Sequence, residues 1–207
     1  MSQLELIGLP HSNLVRTARL ALAKKGVAYT LTPSMPHAPE VLAANPLGKI
    51  PALRHGDMTL GESWAICNYI DAAFDGPALH PESPTERAVT EQWVSYLLTA
   101  FDPVMIREYL FGYVFPKTED KSPDRAQIDG AVPKLKGQMA LLETAIADGV
   151  FRTDRFTIAD AFLLPMLDYV RGFPEGQDAL GANPKLSAYL ESWLNDKDVK
   201  DTTPPPL

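Results

Sequence analysis

What the sequence lacks already excludes several classes of protein. It contains one cysteine in 207 residues, Cys67, so an internal disulfide is excluded and a reducing, cytoplasmic location is expected. No apolar run approaches the roughly 18 residues that a membrane-spanning helix needs. The first residues also lack the basic start and apolar run of a signal peptide. We therefore expect no membrane association.

Signatures of metal, nucleotide and nucleic-acid binding are missing as well. The four histidines and the single cysteine show no ligand spacing, so no metal site is predicted. The sequence has no Walker loop, no GxGxxG and no GxSxG. Acidic residues outnumber basic ones, 26 to 19, and the whole net charge of −7 lies after residue 75. This distribution argues against nucleic acid as a partner and leaves the neutral N-terminal third free to hold a small anion.

The apolar pattern divides the chain into two parts, and the first predicts an α/β domain over 1–76. A strand, a helix and a second strand in quick succession imply a parallel pair, and a hairpin followed by a helix completes a mixed sheet of order βαβαββα. The predicted elements are a strand at 4–9, a helix from Ser12 to Gly26, a strand at 27–31, a short helix at 40–44, a hairpin at 52–60 and a helix capped by Ser63.

The second part predicts helices only. A Pro/Gly-rich linker over 77–84 precedes an all-helical domain over 85–201, and a loose Pro-rich tail over 202–207 ends the chain. The predicted helices cover 85–114 with a kink or break at Pro103, 126–147, the apolar run 161–170 and 187–195. Thr157 and Asp160 have the spacing of a capping box ahead of the third helix.

The stretch from Asn45 to Ile66 has two interpretations. One is an ordinary turn, hairpin and helix start. The other is a grip for a ligand. If the peptide bond before Pro51 were cis, the N–H and C=O of Ile50 could face outward and pair with an extended peptide-like molecule. The helix start at Ser63 would then favour a carboxylate. The local pattern leaves both interpretations open.

Ser12 also has two interpretations, because it stands where the first strand meets the first helix. It can simply cap the helix. Its hydroxyl can instead donate a hydrogen bond to a bound thiolate, and charge-assisted bonds of this kind contribute about 1.5–3 kcal/mol. Such a bond and the helix dipole together would lower the pKa of a ligand thiol from about 8.5 by one or two units. Cys67, within a helical pattern, is expected to be a buried structural thiol.

Four motifs spread over both parts of the chain carry a family resemblance. They are Ser12-Asn13-Leu14-Val15-Arg16, Asn45-Pro46-Leu47-Gly48-Lys49-Ile50-Pro51-Ala52-Leu53, Glu62-Ser63-Trp64-Ala65-Ile66 and Thr157-Ile158-Ala159-Asp160. As an ordered set, they resemble the cytosolic glutathione transferases of the serine-type classes. The resemblance implies a thioredoxin-like glutathione-binding domain, an all-helical domain that completes the electrophile site, and a homodimer.

The resemblance also implies roles for individual residues. Ser12 would activate the glutathione thiol, although a shift by one residue would give that role to Asn13. Asp160 would be a structural cap and not a catalyst. The residues expected to bind glutathione are Ile50 ahead of a cis Pro51 for the cysteinyl unit, Glu62 and Ser63 for the γ-glutamyl end, and Lys49 and His37 near the glycyl carboxylate.

The implied reaction joins the glutathione thiolate to a small hydrophobic electrophile, with glutathione as co-substrate and no permanently bound cofactor. Met105, Tyr109 and Tyr113 either line the apolar electrophile pocket or pack in the core. The alternatives are a non-catalytic member that binds glutathione, another ligand or a protein, and a glutathione-dependent isomerase or dehalogenase. A thiol-disulfide enzyme would need cysteine in place of Ser12.

Overall fold

The computed structural model describes residues 3–205 and divides them into two units. The first contains the described residues up to Pro81 together with those from Asn195 onward, and the second is Glu82–Leu194. The division after Pro81 falls inside the linker that the sequence predicts. The C-terminal boundary differs, because the end of the predicted helical domain belongs to the first unit.

A four-stranded mixed sheet organises the first unit. Its strands are β1 (Leu4–Ile7), β2 (Thr30–Thr32), β3 (Ala52–His55) and β4 (Met58–Gly61), in the order β2-β1-β3-β4. β1 runs parallel to β2 and antiparallel to β3, and β3 and β4 form a hairpin. The predicted mixed sheet, with its parallel pair and its hairpin, is therefore confirmed.

Ten α-helices and two π-helical stretches lie within residues 3–205. The helices are α1 (Asn13–Lys24), α2 (Pro39–Ala44), α3 (Ser63–Ala73), α4 (Pro84–Tyr96), α5 (Phe111–Val114), α6 (Arg125–Ala147), α7 (Ile158–Val170), α8 (Pro174–Gly181), α9 (Pro184–Leu194) and α10 (Lys197–Asp201). The π-helical stretches are Leu97–Phe101 and Pro103–Leu110. None of the described helices is both long and apolar enough to cross a bilayer.

Helices cover the sheet, which explains why β1 reads as an almost continuous apolar run. Leu4, Leu6 and Ile7 are all buried, as expected for a strand with helices on both faces. On one face, Val41 and Ala44 of α2 pack with Ile7 in a small buried cluster. The C-terminal end of β1 therefore lies beside α2, and the chain continues from there to the start of α1.

β2 begins three residues later than the predicted strand. α1 is followed by its C-cap Lys25 and then by a glycine with positive φ, Gly26 at +68°. The next amide, of Val27, donates to the Leu22 carbonyl at 2.9 Å. This return of the chain completes the C-terminus of α1 before β2 starts. The alternating apolar pattern from Val27 to Leu31 therefore starts in the turn that terminates α1, and only its last two residues belong to β2.

The C-terminal segment packs on α1 as far as residue 203, although the sequence predicts a loose tail that begins at residue 202. Thr202 is buried, and its carbonyl accepts a hydrogen bond from Arg19 at 3.0 Å. Buried Arg16 donates to the Val199 carbonyl at 3.3 Å, and Lys24 pairs with Asp196 at 2.6 Å. Cations of α1 thus hold α10, a helix too short to be stable alone. Residues 206–207 of the predicted tail lie outside the described residues.

The second unit is entirely helical, as predicted. The predicted helix at 85–114 is one continuous helical segment over 84–114, with wide π turns on both sides of Pro103. A proline has no N–H to donate, and wider turns accommodate that missing bond. The sequence did not predict α8, which starts with Pro174 at its first position.

The capping box before α7 is confirmed. Thr157 donates to Asp160 Oδ2 through its N–H and through its hydroxyl, each at 2.6 Å, and Tyr189 of α9 donates to the other carboxylate oxygen. Asp160 is 1% exposed, and this burial raises the pKa of its carboxyl to about 6. A single carboxylate therefore caps α7 and ties it to α9.

Candidate active site

Ser12 lies at the junction of β1 and α1, where the sequence places it. It is the N-cap of α1, and its Oγ accepts a hydrogen bond from the Val15 N–H at 3.3 Å. The side chain is partly exposed. Because Oγ acts as an acceptor towards the helix, its own proton remains available for another acceptor.

Asn13, the alternative to Ser12, occupies a different environment. It is the first residue of α1 and is only 5% exposed. Its carbonyl accepts a hydrogen bond from the Thr17 hydroxyl at 3.1 Å. Of the two neighbours, Ser12 is the one whose side chain is more open to solvent.

Gly8 allows the loop before β3 to approach the end of β1. Its φ is +150°, and a Cβ there would lie 2.6 Å from Val15 Cγ2 and 3.1 Å from Ile50 Cβ. Only glycine lets these two side chains come so close to the backbone of the Ser12 segment. The peptide bond between Ile50 and Pro51 is cis, as the resemblance implies. Within residues 3–205, neither the N–H nor the C=O of Ile50 pairs with another backbone group.

His37 and Lys49 are brought together by Gly48. The His37 N–H donates to the Gly48 carbonyl at 2.8 Å, and His37 and Gly48 both have positive φ, near +65°. A Cβ on Gly48 would lie 2.2 Å from His37 Nδ1, so the imidazole lies directly against the glycine backbone. Both His37 and Lys49 are exposed. A basic side chain and an imidazole thus flank the segment that leads to Ile50.

The start of α3 differs from the prediction by one residue. Ser63 is the first helical residue and not the N-cap; the cap position belongs to Glu62, whose side chain makes no capping hydrogen bond. Glu62 has φ +64° and ψ 118°, a conformation that costs a non-glycine residue about 1–3 kcal/mol. Glu62 is exposed and Ser63 is 5% exposed. The strained turn at Glu62 therefore leads directly into the N-terminus of α3, which carries the positive end of the helix dipole.

The three residues expected at the electrophile pocket lie in the second unit, on the continuous helical segment over 84–114: Met105, Tyr109 and Tyr113. Met105 and Tyr109 are fully buried, whereas Tyr113 is partly exposed. Both hydroxyls donate to Glu175 Oε2, from Tyr109 at 3.1 Å and from Tyr113 at 2.5 Å. Burial, followed by the bond to Glu175, raises the pKa of each phenol. These two phenols therefore remain protonated donors.

Sequence reasoning missed Glu175 and Arg125, which complete this cluster. Arg125 donates to Glu175 Oε1 at 2.7 Å and to the Tyr113 hydroxyl at 3.1 Å. Burial works against the charge of Glu175, but the bonds from Tyr113 and Arg125 outweigh it and lower its pKa to about 2. The sequence signal that could have located Glu175 at a helix start is Pro174 followed by an acidic residue, a pattern typical of the first helical turn.

No group of three or more potential metal ligands occurs within residues 3–205. A groove of about 1070 Å³ opens in the first unit and is lined by Leu4, Thr30, His55 and Phe74 among others. Because Leu4 and Thr30 begin their strands while Ser12 follows the end of β1, this groove lies at the other end of the sheet.

Two family models match the chain. The model described as glutathione S-transferase, N-terminal domain, covers residues 6–78, and the model described as glutathione S-transferase, C-terminal domain, covers residues 125–192. The first unit is thus thioredoxin-like, and an all-helical unit follows it, as expected. The chain belongs to the glutathione S-transferase family.

Individual relatives agree with this assignment. Glutathione S-transferase 3 of Zea mays is 31% identical, over 93% of this chain and 89% of the relative. The crystal structure of glutathione transferase F7 from Populus trichocarpa is 27% identical with a TM-score of 0.85, covering 96% of this chain and 97% of that one. The theta class enzyme of Xanthomonas axonopodis pv. citri, solved with glutathione bound, is 26% identical with a TM-score of 0.82 over both full lengths.

Proposed function

We propose that the protein is a serine-type glutathione transferase, which conjugates the glutathione thiolate to small hydrophobic electrophiles. The observation that carries the proposal is the state of Ser12, a partly exposed N-cap whose Oγ accepts a hydrogen bond from Val15. Glutathione is the co-substrate, and no permanently bound cofactor takes part. Family membership supports a homodimer as the working assembly, which sedimentation of the purified protein tests.

Ser12 stabilises the thiolate through two effects. Its hydroxyl proton is free to be donated to sulfur, because the helix amide uses the oxygen only as an acceptor. The N-terminus of α1 adds a favourable dipole interaction of about 0.3–1 kcal/mol for a nearby anion. With a charge-assisted hydrogen bond of about 1.5–3 kcal/mol, the pKa of the bound thiol falls by one or two units.

The remainder of glutathione binds along the segment from residue 49 to residue 63. The unpaired backbone groups of Ile50 pair with the cysteinyl unit, in the manner of an added strand. Glu62 and Ser63, at the start of α3, bind the γ-glutamyl end, where first-turn amides favour its carboxylate. Lys49 and His37 lie near the glycyl carboxylate and supply complementary charge and hydrogen bonding.

The reaction itself is a substitution at the electrophile. The thiol proton leaves to water or to the γ-glutamyl carboxylate of glutathione, and Ser12 holds the resulting thiolate. The thiolate forms a bond from sulfur to carbon, and the leaving group departs with the bonding electron pair. Of the three residues expected at the electrophile region, Tyr113 is partly exposed and can contact a hydrophobic electrophile, whereas Met105 and Tyr109 are fully buried and support that region from the core. The Glu175 cluster fixes both tyrosines in place.

Turnover of 1-chloro-2,4-dinitrobenzene with glutathione tests the proposal. Ser12→Ala should reduce kcat by at least about tenfold while glutathione binding is retained, since about 1.4 kcal/mol of lost stabilisation corresponds to a factor of ten. Ser83→Ala is the matched control, because Ser83 also caps a helix, α4, through its side chain. Unchanged turnover in Ser12→Ala would refute the role of Ser12.

Two further results would favour the alternatives. Retention of the wild type on immobilised glutathione without conjugation of any electrophile in a panel would indicate a binding or interaction protein. Isomerisation or dehalogenation without accumulation of a conjugate would indicate that the same thiolate serves a different reaction. Both outcomes keep the glutathione site and change only what the thiolate does.

A further inference from the structure

We propose that Asn45 is a positioning residue that aims the backbone of Ile50 at bound glutathione. The inference rests on the proposed function and adds to it a residue outside the binding set described above. Asn45 is 3% exposed and lies directly after α2, where its N–H donates to the Val41 carbonyl at 2.7 Å. It is therefore a buried polar residue at the entry to the loop that carries Lys49 and Ile50.

The side-chain amide of Asn45 both donates and accepts a hydrogen bond inside this loop. Oδ1 accepts from the Leu47 N–H at 3.1 Å, and Nδ2 donates to the Lys49 carbonyl at 3.0 Å. The backbone carbonyl of Asn45 also accepts from the Gly48 N–H at 2.8 Å. Aspartate would keep the acceptor but has no donor when ionised, and leucine has neither.

The bond to the Lys49 carbonyl determines the direction of the Ile50 N–H. These two groups belong to one planar trans peptide, in which the C=O and the N–H point in opposite directions. Because Asn45 Nδ2 holds the carbonyl, the Ile50 N–H points away from Asn45. That N–H has no backbone partner within residues 3–205 and is the group proposed to meet the cysteinyl unit.

Asn45 also contacts the second segment of the proposed glutathione site. A Cβ on Gly61 would lie 2.6 Å from Asn45 Cγ, so the amide lies directly against the backbone of Gly61. The next residue is Glu62, with its positive φ, and then Ser63 starts α3. One buried side chain therefore sets the spacing between the loop before β3 and the turn before α3.

These contacts predict an effect on binding more than on chemistry. Asn45 acts through Ile50 and Gly61, whereas Ser12 lies on a different segment, between β1 and α1. Loss of the Asn45 contacts should therefore raise the Kd and KM for glutathione and leave kcat at saturating glutathione nearly unchanged. Loss of a residue that merely supported the fold would lower the stability of the protein, but it would not raise the Kd and KM for glutathione while leaving kcat unchanged.

Asn45→Asp is the sharpest variant, with Asn183→Asp as its control. Asn45→Asp keeps an acceptor for Leu47 but places a carboxylate oxygen against the Lys49 carbonyl. Asn183 is 9% exposed in the second unit, and its Nδ2 donates to the Ala179 carbonyl at 2.7 Å, so its variant loses one comparable bond. We expect the Kd for glutathione, measured by calorimetry, to rise about tenfold or more in Asn45→Asp only.

Each outcome decides the inference. An unchanged Kd in Asn45→Asp, or an equal rise in Asn183→Asp, would overturn it while the proposed function stands. Absence of glutathione binding by the wild type would overturn the proposed function itself. If Asn45→Asp does not fold, Gly61→Ala approaches the same contact from the other side. A rise of about tenfold in its Kd supports the inference, and an unchanged Kd overturns it.

Discussion

The buried carboxylate of Asp160 makes the stability of the protein depend on pH in an unusual direction. Its pKa is raised from 3.8 to about 6 by burial, against the opposing effect of its hydrogen bonds from Thr157 and Tyr189. A raised pKa means that the folded state binds a proton more tightly than the unfolded state. The contribution of this group is fully present below pH 3.8 and is lost as the pH rises through 6.

Replacement of Asp160 by asparagine removes this titration with little change of shape. In Asp160→Asn, the side-chain oxygen can still accept from Thr157, and the new amide can donate to the Tyr189 hydroxyl, which rotates to accept. A shift of about two pH units corresponds to about 3 kcal/mol. Since the unfolded carboxyl is already more than half ionised at pH 4, the stability of the wild type relative to Asp160→Asn should fall by about 2 kcal/mol of this total between pH 4 and pH 7.

Urea unfolding followed by circular dichroism at several pH values measures this difference. The comparison of the two proteins at each pH cancels the titration of all other groups, provided the m-values agree. Asp160→Ala serves as a second comparison, because it lacks the hydrogen bonds as well and should be the less stable variant at every pH. A difference between wild type and Asp160→Asn that stays constant from pH 4 to pH 7, or that grows, would refute the reasoning.

Two further predictions concern contacts that hold helices in place, namely the bond from Gly176 to Tyr109 and the bond from Arg16 to Val199. Tyr109→Phe leaves the buried Gly176 N–H without its acceptor and should lower the free energy of unfolding by about 1–3 kcal/mol. Tyr113→Phe, at a partly exposed site, should lower the free energy of unfolding by less. Equal losses in the two variants would contradict this prediction. Arg16→Met should release α10 from α1, seen as faster hydrogen exchange in α10. Unchanged exchange there, or equal acceleration in Arg87→Met, which breaks an exposed ion pair, would contradict it.

The sequence predicts the elements that local patterns determine. The capping box at Thr157 and Asp160 and the hairpin before α3 follow from spacing within a few residues, and the parallel strand pair follows from the strand-helix-strand order; all are confirmed. The elements it misses depend on distant contacts. α10 has five residues with one buried apolar side chain, and it is held by cations of α1 that lie far away in the sequence.

The candidate site shows the same division. Ser12, Ile50 and Ser63 stand in recognisable motifs, so the sequence can name them and place them on a helix start, a loop and a second helix start. The role of Asn45 depends instead on a hydrogen bond across four residues and on contact with Gly61, sixteen residues later. The Glu175 cluster likewise joins side chains from three helical segments, and no spacing rule predicts such a contact.

The pKa of the glutathione thiol in the binary complex tests the central claim most directly. It is measured from the ultraviolet absorbance of the bound thiolate as a function of pH, for the wild type, Ser12→Ala and Asn13→Ala. We predict that the wild type and Asn13→Ala hold the pKa one or two units below the reference value of about 8.5, and that Ser12→Ala returns it towards that value. The same low pKa in Ser12→Ala, or a return seen only in Asn13→Ala, would contradict the account.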